Sequence, residues 1–171
     1  SFAQSIRQTR EKTKNPFGVN IMCVLTNYED LVNVAQDESV DVIISGAGMP
    51  LRLPALIKNT KTKLIPIVSS ARAASIICSS WQRRYKRLPD ALIVEGPLAG
   101  GHLGYSLAEL EDKENFSLEN ILQKVVTVVQ EFESCTTRIP VIAAGGIFDG
   151  KDIAKFIRLG ASGVQMGTRF V

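Results

Sequence analysis

Short apolar, β-branched runs alternate with segments of helical periodicity along the whole chain. Val19–Val24, Val40–Ser45, Leu64–Ser69, Ala91–Glu95, Val141–Ala144 and Gly163–Met166 read as strands. Their near-continuous hydrophobicity predicts burial on both faces, as in a parallel sheet. Helices fill the gaps. Ser5 to Thr13 is polar and helical. Thr26 with Glu29 forms a capping-box pattern ahead of Leu31, Val34 and Ala35. Ser70 is placed to cap a helix through Ala73, Ile76 and Ile77. Ser117 is placed to cap one with Leu118, Ile121, Leu122, Val125, Val129 and Phe132 on a single stripe. Asp149 is placed to cap a helix through Ile153, Phe156 and Ile157, with Gly160 just past its end. Trp81 and Tyr85, four apart on a helix, read as core packing. The polar stretch Tyr105 to Asn115 reads as a surface loop.

This order, a helix followed by strand–helix units and a final strand, argues for an α/β architecture. Two arrangements compete: an open six-stranded doubly wound sheet, and part of a (β/α)8 TIM barrel. The chain opens in a helix and stops at Arg169-Phe170-Val171 with six strands visible. The expectation is therefore a partial barrel covering about strands three to eight. Residues 1–171 would form a single domain truncated at both ends, with the open sheet as the alternative.

Composition narrows the function. The chain is 45% hydrophobic and 22% charged, with a net charge of +3, too small an excess to imply nucleic acid. The basic run Arg83-Arg84-Tyr85-Lys86-Arg87 falls at a helix end, where cations oppose the dipole. Cys23, Cys78 and Cys135 lack metal or redox spacing, and Cys23 reads as a small buried hydrophobe in a strand. Nothing reads as a signal peptide or a spanning helix, so no membrane is implied and a cytoplasmic location is the default.

The chemistry concentrates in two places. Glu95-Gly96-Pro97-Leu98-Ala99-Gly100-Gly101-His102-Leu103-Gly104 follows a strand and carries the one histidine of the chain. An imidazole on a glycine-rich loop at a strand's C-terminal end is a candidate acid or base. Glu95 needs donors for its oxygens. Ser45-Gly46, at another strand end, reads equally as ligand contact and as turn. The second place combines Ala144-Gly145-Gly146-Ile147 with Gln165-Met166-Gly167-Thr168. Two consecutive strand ends rich in small residues offer amides to a phosphate. A side chain at Gly146 is expected to fill the phosphate's space. The sequence matches neither a P-loop nor a dinucleotide fingerprint.

Gly18-Val19-Asn20, Glu95-Gly96 with Ala99-Gly100-Gly101-His102, Ala144-Gly145-Gly146-Ile147 and Gln165-Met166-Gly167-Thr168-Arg169-Phe170 together resemble the nitronate monooxygenase (2-nitropropane dioxygenase-like) family of FMN-dependent barrels. The FMN-dependent enoyl-[acyl-carrier-protein] reductases share almost the same motifs. The resemblance spans nearly the whole chain. It implies FMN across the strand ends, its phosphate at Gly146 and Gly167/Thr168. It also implies flavin contacts from Asn20, Glu95, Gly100, Gly101, Gly145, Gln165 and Met166, and His102 on the substrate side. The family's first two strands and its segment after Val171 lie outside this chain. Many nitronate monooxygenases have Gln where Glu95 stands, whereas Glu is familiar in the enoyl reductases. The implied activity is oxidation of an alkyl nitronate by dioxygen. The alternatives are reduction of an enoyl thioester by NAD(P)H, a non-redox barrel binding a phosphorylated metabolite, and a flavin-binding segment without catalysis. A homodimer is the assembly this reading allows.

Overall fold

A computed structural model describes residues 1–58, 61–101, 104–112 and 114–170. Its elements run α1 (Phe2–Lys12), β1 (Gly18–Met22), α2 (Tyr28–Asp37), β2 (Val42–Gly46), α3 (Leu53–Leu56), β3 (Lys63–Val68), α4 (Ala71–Tyr85), β4 (Leu92–Glu95), α5 (Leu107–Glu111), α6 (Leu118–Gln130), β5 (Val141–Ala144), α7 (Gly150–Arg158) and β6 (Gly163–Gln165), then a 3-10 turn at Thr168–Phe170. Each predicted strand appears within two residues of its expected bounds.

The six strands form one sheet in the order β1-β2-β3-β4-β5-β6, and every neighbouring pair is parallel. A doubly wound sheet reverses its strand order at a switch point. Here the order never reverses, so this is a barrel wall and the open-sheet alternative falls. Side chains alternate between two apolar faces. Ile21, Ile43, Leu64, Val68, Leu92, Val94, Val141 and Ala143 point outward and are buried beneath the helices. Ile44, Ile65, Ile93, Ile142 and Gln165 point the other way and line one shared groove. Side chains from five strands meet there because the sheet curves.

The helices owe their starts to local chemistry. The side chains of Ser70 and Ser117 accept from the amides of Ala73 and Asn120. Asp149 accepts from Lys151 and Asp152, and the Asp152 carboxylate returns the bond to complete a capping box. These match the sequence reading. Ser1 and Gln4 form another box, which starts α1 at Phe2 rather than Ser5. Trp81 is fully buried, its Nε1–H donating to the Pro50 carbonyl at 3.1 Å.

Three expectations need correction. Thr26 does not cap α2: its N-cap is Asn27, without a side-chain bond. A backbone turn from Tyr28 N–H to the Leu25 carbonyl leads into the helix, and the Tyr28 hydroxyl is tied to Ser45. Glu29 instead pairs with Arg52 at 3.3 Å. The stretch after Tyr105 is not all loop, because a Ser106–Glu109 capping box starts the short helix α5. Cys23 lies just past β1 and is half-buried. Its Sγ is 3.3 Å from Ser45 Oγ.

Candidate functional site

The C-terminal ends of β4, β5 and β6 meet around a cleft of about 410 Å³. It is lined by Glu95, Leu98, Ala99 and Gly100 from the β4 side. From the β5 side come Ala144, Gly145, Gly146, Ile147 and Phe148, and from the β6 side Gln165, Met166, Gly167, Thr168 and Arg169. The register explains the convergence, since Glu95 pairs with Ala144 and Ala144 with Gln165. Three strands thus end level with one another, and their following loops share one hollow.

Most residues singled out from the sequence are brought together here: Glu95, Gly100, Gly145, Gly146, Gln165, Met166, Gly167 and Thr168. Gly101 lies on the same loop, exposed, with φ +90, but does not line the cleft. Asn20 lies mid-strand in β1, level with Ile44. It is exposed on the inner face and is not part of this cleft. His102 lies outside the described residues.

The glycine pair is explained by close approach. Gly145 has φ +103, and a Cβ there would sit 2.8 Å from the Ala99 backbone nitrogen. Gly146 has φ +73, and its Cβ would meet Leu98 Cδ1 at 2.8 Å. Both positions favour glycine on backbone grounds. A side chain at Gly146 would also strike Leu98, a contact beyond the phosphate's space that the sequence reading did not foresee. Gly100 and Gly167 have open space where a Cβ would stand. No acceptor among the described residues takes the N–H groups of Gly146, Gly167 or Thr168. Unused amides on adjacent loops, with open space at Gly167, form a cradle that fits a phosphate group.

Burial holds the Glu95 carboxyl above its ordinary value, and no donor among the described residues reaches it. The folded protein therefore keeps this proton over a pH range where the unfolded chain has lost it. Its stabilising contribution is complete below the unfolded value and is lost as pH rises through the raised, folded one. Glu95→Gln should accordingly be more stable than the parent at pH 7 and should flatten the fall in stability above about pH 4.5. Urea midpoints at pH 4, 5.5 and 7 read both effects, and equal midpoints for the two proteins at all three would place the carboxyl in solvent.

Sequence reasoning missed several contributors. Tyr105 is half-buried. Its hydroxyl donates to the Glu95 carbonyl at 2.5 Å, with the Ser69 carbonyl at 3.3 Å. Burial, helped by the nearby charge of Glu95, pushes its phenol up to about 12, so it remains a donor at neutral pH. Its ring meets Phe116 edge-on, centroids 6.4 Å apart. Tyr105 thus ties the far end of the 96–104 loop back to the strand where that loop begins. Phe148 and Arg169 were also overlooked. The Arg169 guanidinium carbon lies 4.8 Å from the Phe148 ring centroid. Its place directly after Gly167-Thr168 was the available signal. Ser45, by contrast, turns outward. Its hydroxyl donates to the Ile21 carbonyl at 3.0 Å, which leaves its oxygen to accept from Tyr28 at 2.9 Å. That is a structural node.

Sequence comparison settles the family, since the profile of the nitronate monooxygenases matches residues 1–171. The chain belongs to the nitronate monooxygenase family. This is a family of flavin-dependent oxidoreductases built on the TIM barrel, and the six-stranded wall is part of one. Among its relatives, a (3aS,4S,5R,7aS)-5-hydroxy-7a-methyl-1-oxo-octahydro-1H-indene-4-carboxyl-CoA dehydrogenase of Mycobacterium tuberculosis is 34% identical over 99% of this chain and 41% of its own length. FabK from Thermotoga maritima superposes with a TM-score of 0.79 at 38% identity, over 99% of this chain and 46% of that one. Nitroalkane oxidase from Streptomyces ansochromogenes gives 0.78 at 25% identity, over 99% and 54%. The chain spans 40% to 53% of the length of the curated relatives that match nearly all of it. Among the described residues no helix is long and apolar enough to cross a membrane.

Proposed function

We propose that the protein holds FMN in the cleft between the β4, β5 and β6 loops and serves the oxidation of an alkyl nitronate by dioxygen. The observation that carries this reading is the set of unused amides at Gly146, Gly167 and Thr168 on adjacent loops, in a chain of this family. When bound, the flavin supplies the electron transfer. The chain's residues supply position and charge. The three amides bind phosphate oxygens. The Glu95 carboxyl, lacking a donor of its own, accepts a hydrogen bond from a ribityl hydroxyl or a flavin N–H. His102 takes the α-proton of a nitroalkane, or donates to a nitronate oxygen. Residues 1–171 act as a single flavin-binding unit. Their three unpaired thiols suit a reducing, cytoplasmic compartment.

A second reading has a specific observation behind it. The dehydrogenase relative is named for a coenzyme A thioester, and Glu95 stands where the enoyl reductases carry Glu. On that reading the substrate is an acyl thioester and the electrons come from NAD(P)H. Anaerobic mixing of the flavin-loaded protein separates the two. Bleaching of the flavin band by a nitronate, with NADPH inert, supports nitronate oxidation. Bleaching by NADPH supports thioester reduction. A protein that stays colourless after incubation with FMN contradicts both.

A further inference from the structure

The amides of the phosphate cradle are neutral dipoles, and a phosphomonoester carries up to two negative charges. Among the residues lining this cleft, Arg169 is the cation. It sits on the 3-10 turn Thr168–Phe170, directly after Gly167 and Thr168. Its guanidinium reaches across to the loop after β5 and rests 4.8 Å from the Phe148 ring centroid. Arg169 therefore spans the same two loops whose amides are unused.

Its charge is uncommitted. Arg7, Arg10, Arg52 and Arg87 each pair with a carboxylate. Among the described residues none pairs with Arg169. The acids at the start of α7, in the loop that carries Phe148, are already engaged. Asp152 accepts from the amides of Phe148 and Asp149, and Asp149 accepts from those of Lys151 and Asp152. The cation-π contact with Phe148 uses none of the guanidinium N–H donors, which have no partner among the described residues and remain available. Those donors match two oxygens of one phosphate, which a lysine ammonium cannot do.

We propose that Arg169, held against Phe148, is the specificity-determining cation of this cleft and makes it select a phosphomonoester over the same molecule without its phosphate. With the flavin reading above, on which this rests, it selects FMN over riboflavin. A charge-assisted pair of this kind changes affinity by roughly 10- to 100-fold.

The test is a binding titration followed by flavin fluorescence, independent of turnover. The wild-type protein, Arg169→Gln and Arg169→Lys are each titrated with FMN and with riboflavin, and inorganic phosphate is added as a competitor. Far-UV circular dichroism and urea midpoints establish that the variants fold. Arg169→Gln should weaken FMN by roughly 10- to 100-fold and leave riboflavin unchanged. Phosphate should displace FMN from the wild type and not from this variant, and Arg169→Lys should fall between. Equal losses for both flavins in Arg169→Gln, or no loss for FMN, overturn the role of Arg169 and leave the flavin reading standing. A wild type that binds inorganic phosphate through Arg169, and neither flavin, overturns the flavin reading and keeps the anion site.

Discussion

Gly145→Val should abolish flavin retention and lower the unfolding free energy by about 2–6 kcal/mol. Two costs add. A β-branched residue at φ +103 is forced into a region that L side chains rarely adopt, at roughly 1–3 kcal/mol. Its Cβ would also stand 2.8 Å from the Ala99 backbone nitrogen, and overpacking adds about 1–3 kcal/mol. Backbone cannot swing aside as a side chain can, so the loops after β4 and β5 must part. Both loops line the cleft, which is why binding goes with stability. Gly146→Val should be milder, because its Cβ meets the side chain of Leu98, which is 77% exposed and has room to rotate. Urea unfolding and a flavin absorbance measurement after desalting read both outcomes. A Gly145→Val protein that unfolds like the parent and stays yellow would mean that the two loops do not pack as described.

His102→Ala should leave flavin affinity nearly intact while turnover falls by roughly 10²-fold or more, the usual worth of a positioned acid or base. The loss should be larger with a neutral nitroalkane than with the preformed nitronate. The neutral substrate still carries the α-proton that must be removed. The nitronate has already lost it and needs only a hydrogen-bond donor. Steady-state rates with both substrates give the comparison. Equal, small losses would assign His102 to loop structure.

The strands were legible because a barrel wall is apolar on both faces, so runs such as Leu92–Val94 have no polar alternation to blur them. The caps at Ser70, Ser117 and Asp149 were legible because a side chain two or three residues from its amide is a local event. Thr26 was misread by one residue: a backbone turn from Tyr28 N–H to the Leu25 carbonyl leads into α2 and places the N-cap at Asn27, while the Tyr28 hydroxyl is held at Ser45 by a contact between elements that no local pattern encodes. The same limit applies at the cleft. Gly145 and Gly146 announce themselves as glycines, but Ala99 and Leu98, the residues that require them, approach only when two loops fold together. Arg169 and Phe148 are likewise joined across loops, a contact that the neighbours of neither residue encode. Tyr105 looked like part of a polar loop because its role depends on carbonyls at Ser69 and Glu95.

A crystal structure of the protein with FMN bound would test the phosphate's place in the cleft most directly. The phosphate should lie within hydrogen-bonding distance of the amides of Gly146 and of Gly167 or Thr168, between the ends of β5 and β6. A flavin phosphate away from Gly167 and Thr168, in the adjoining cleft that shares Leu98, Gly145 and Gly146 but is otherwise lined by Leu110, Phe116 and Phe156, or on the open inner face of the sheet, would contradict this placement.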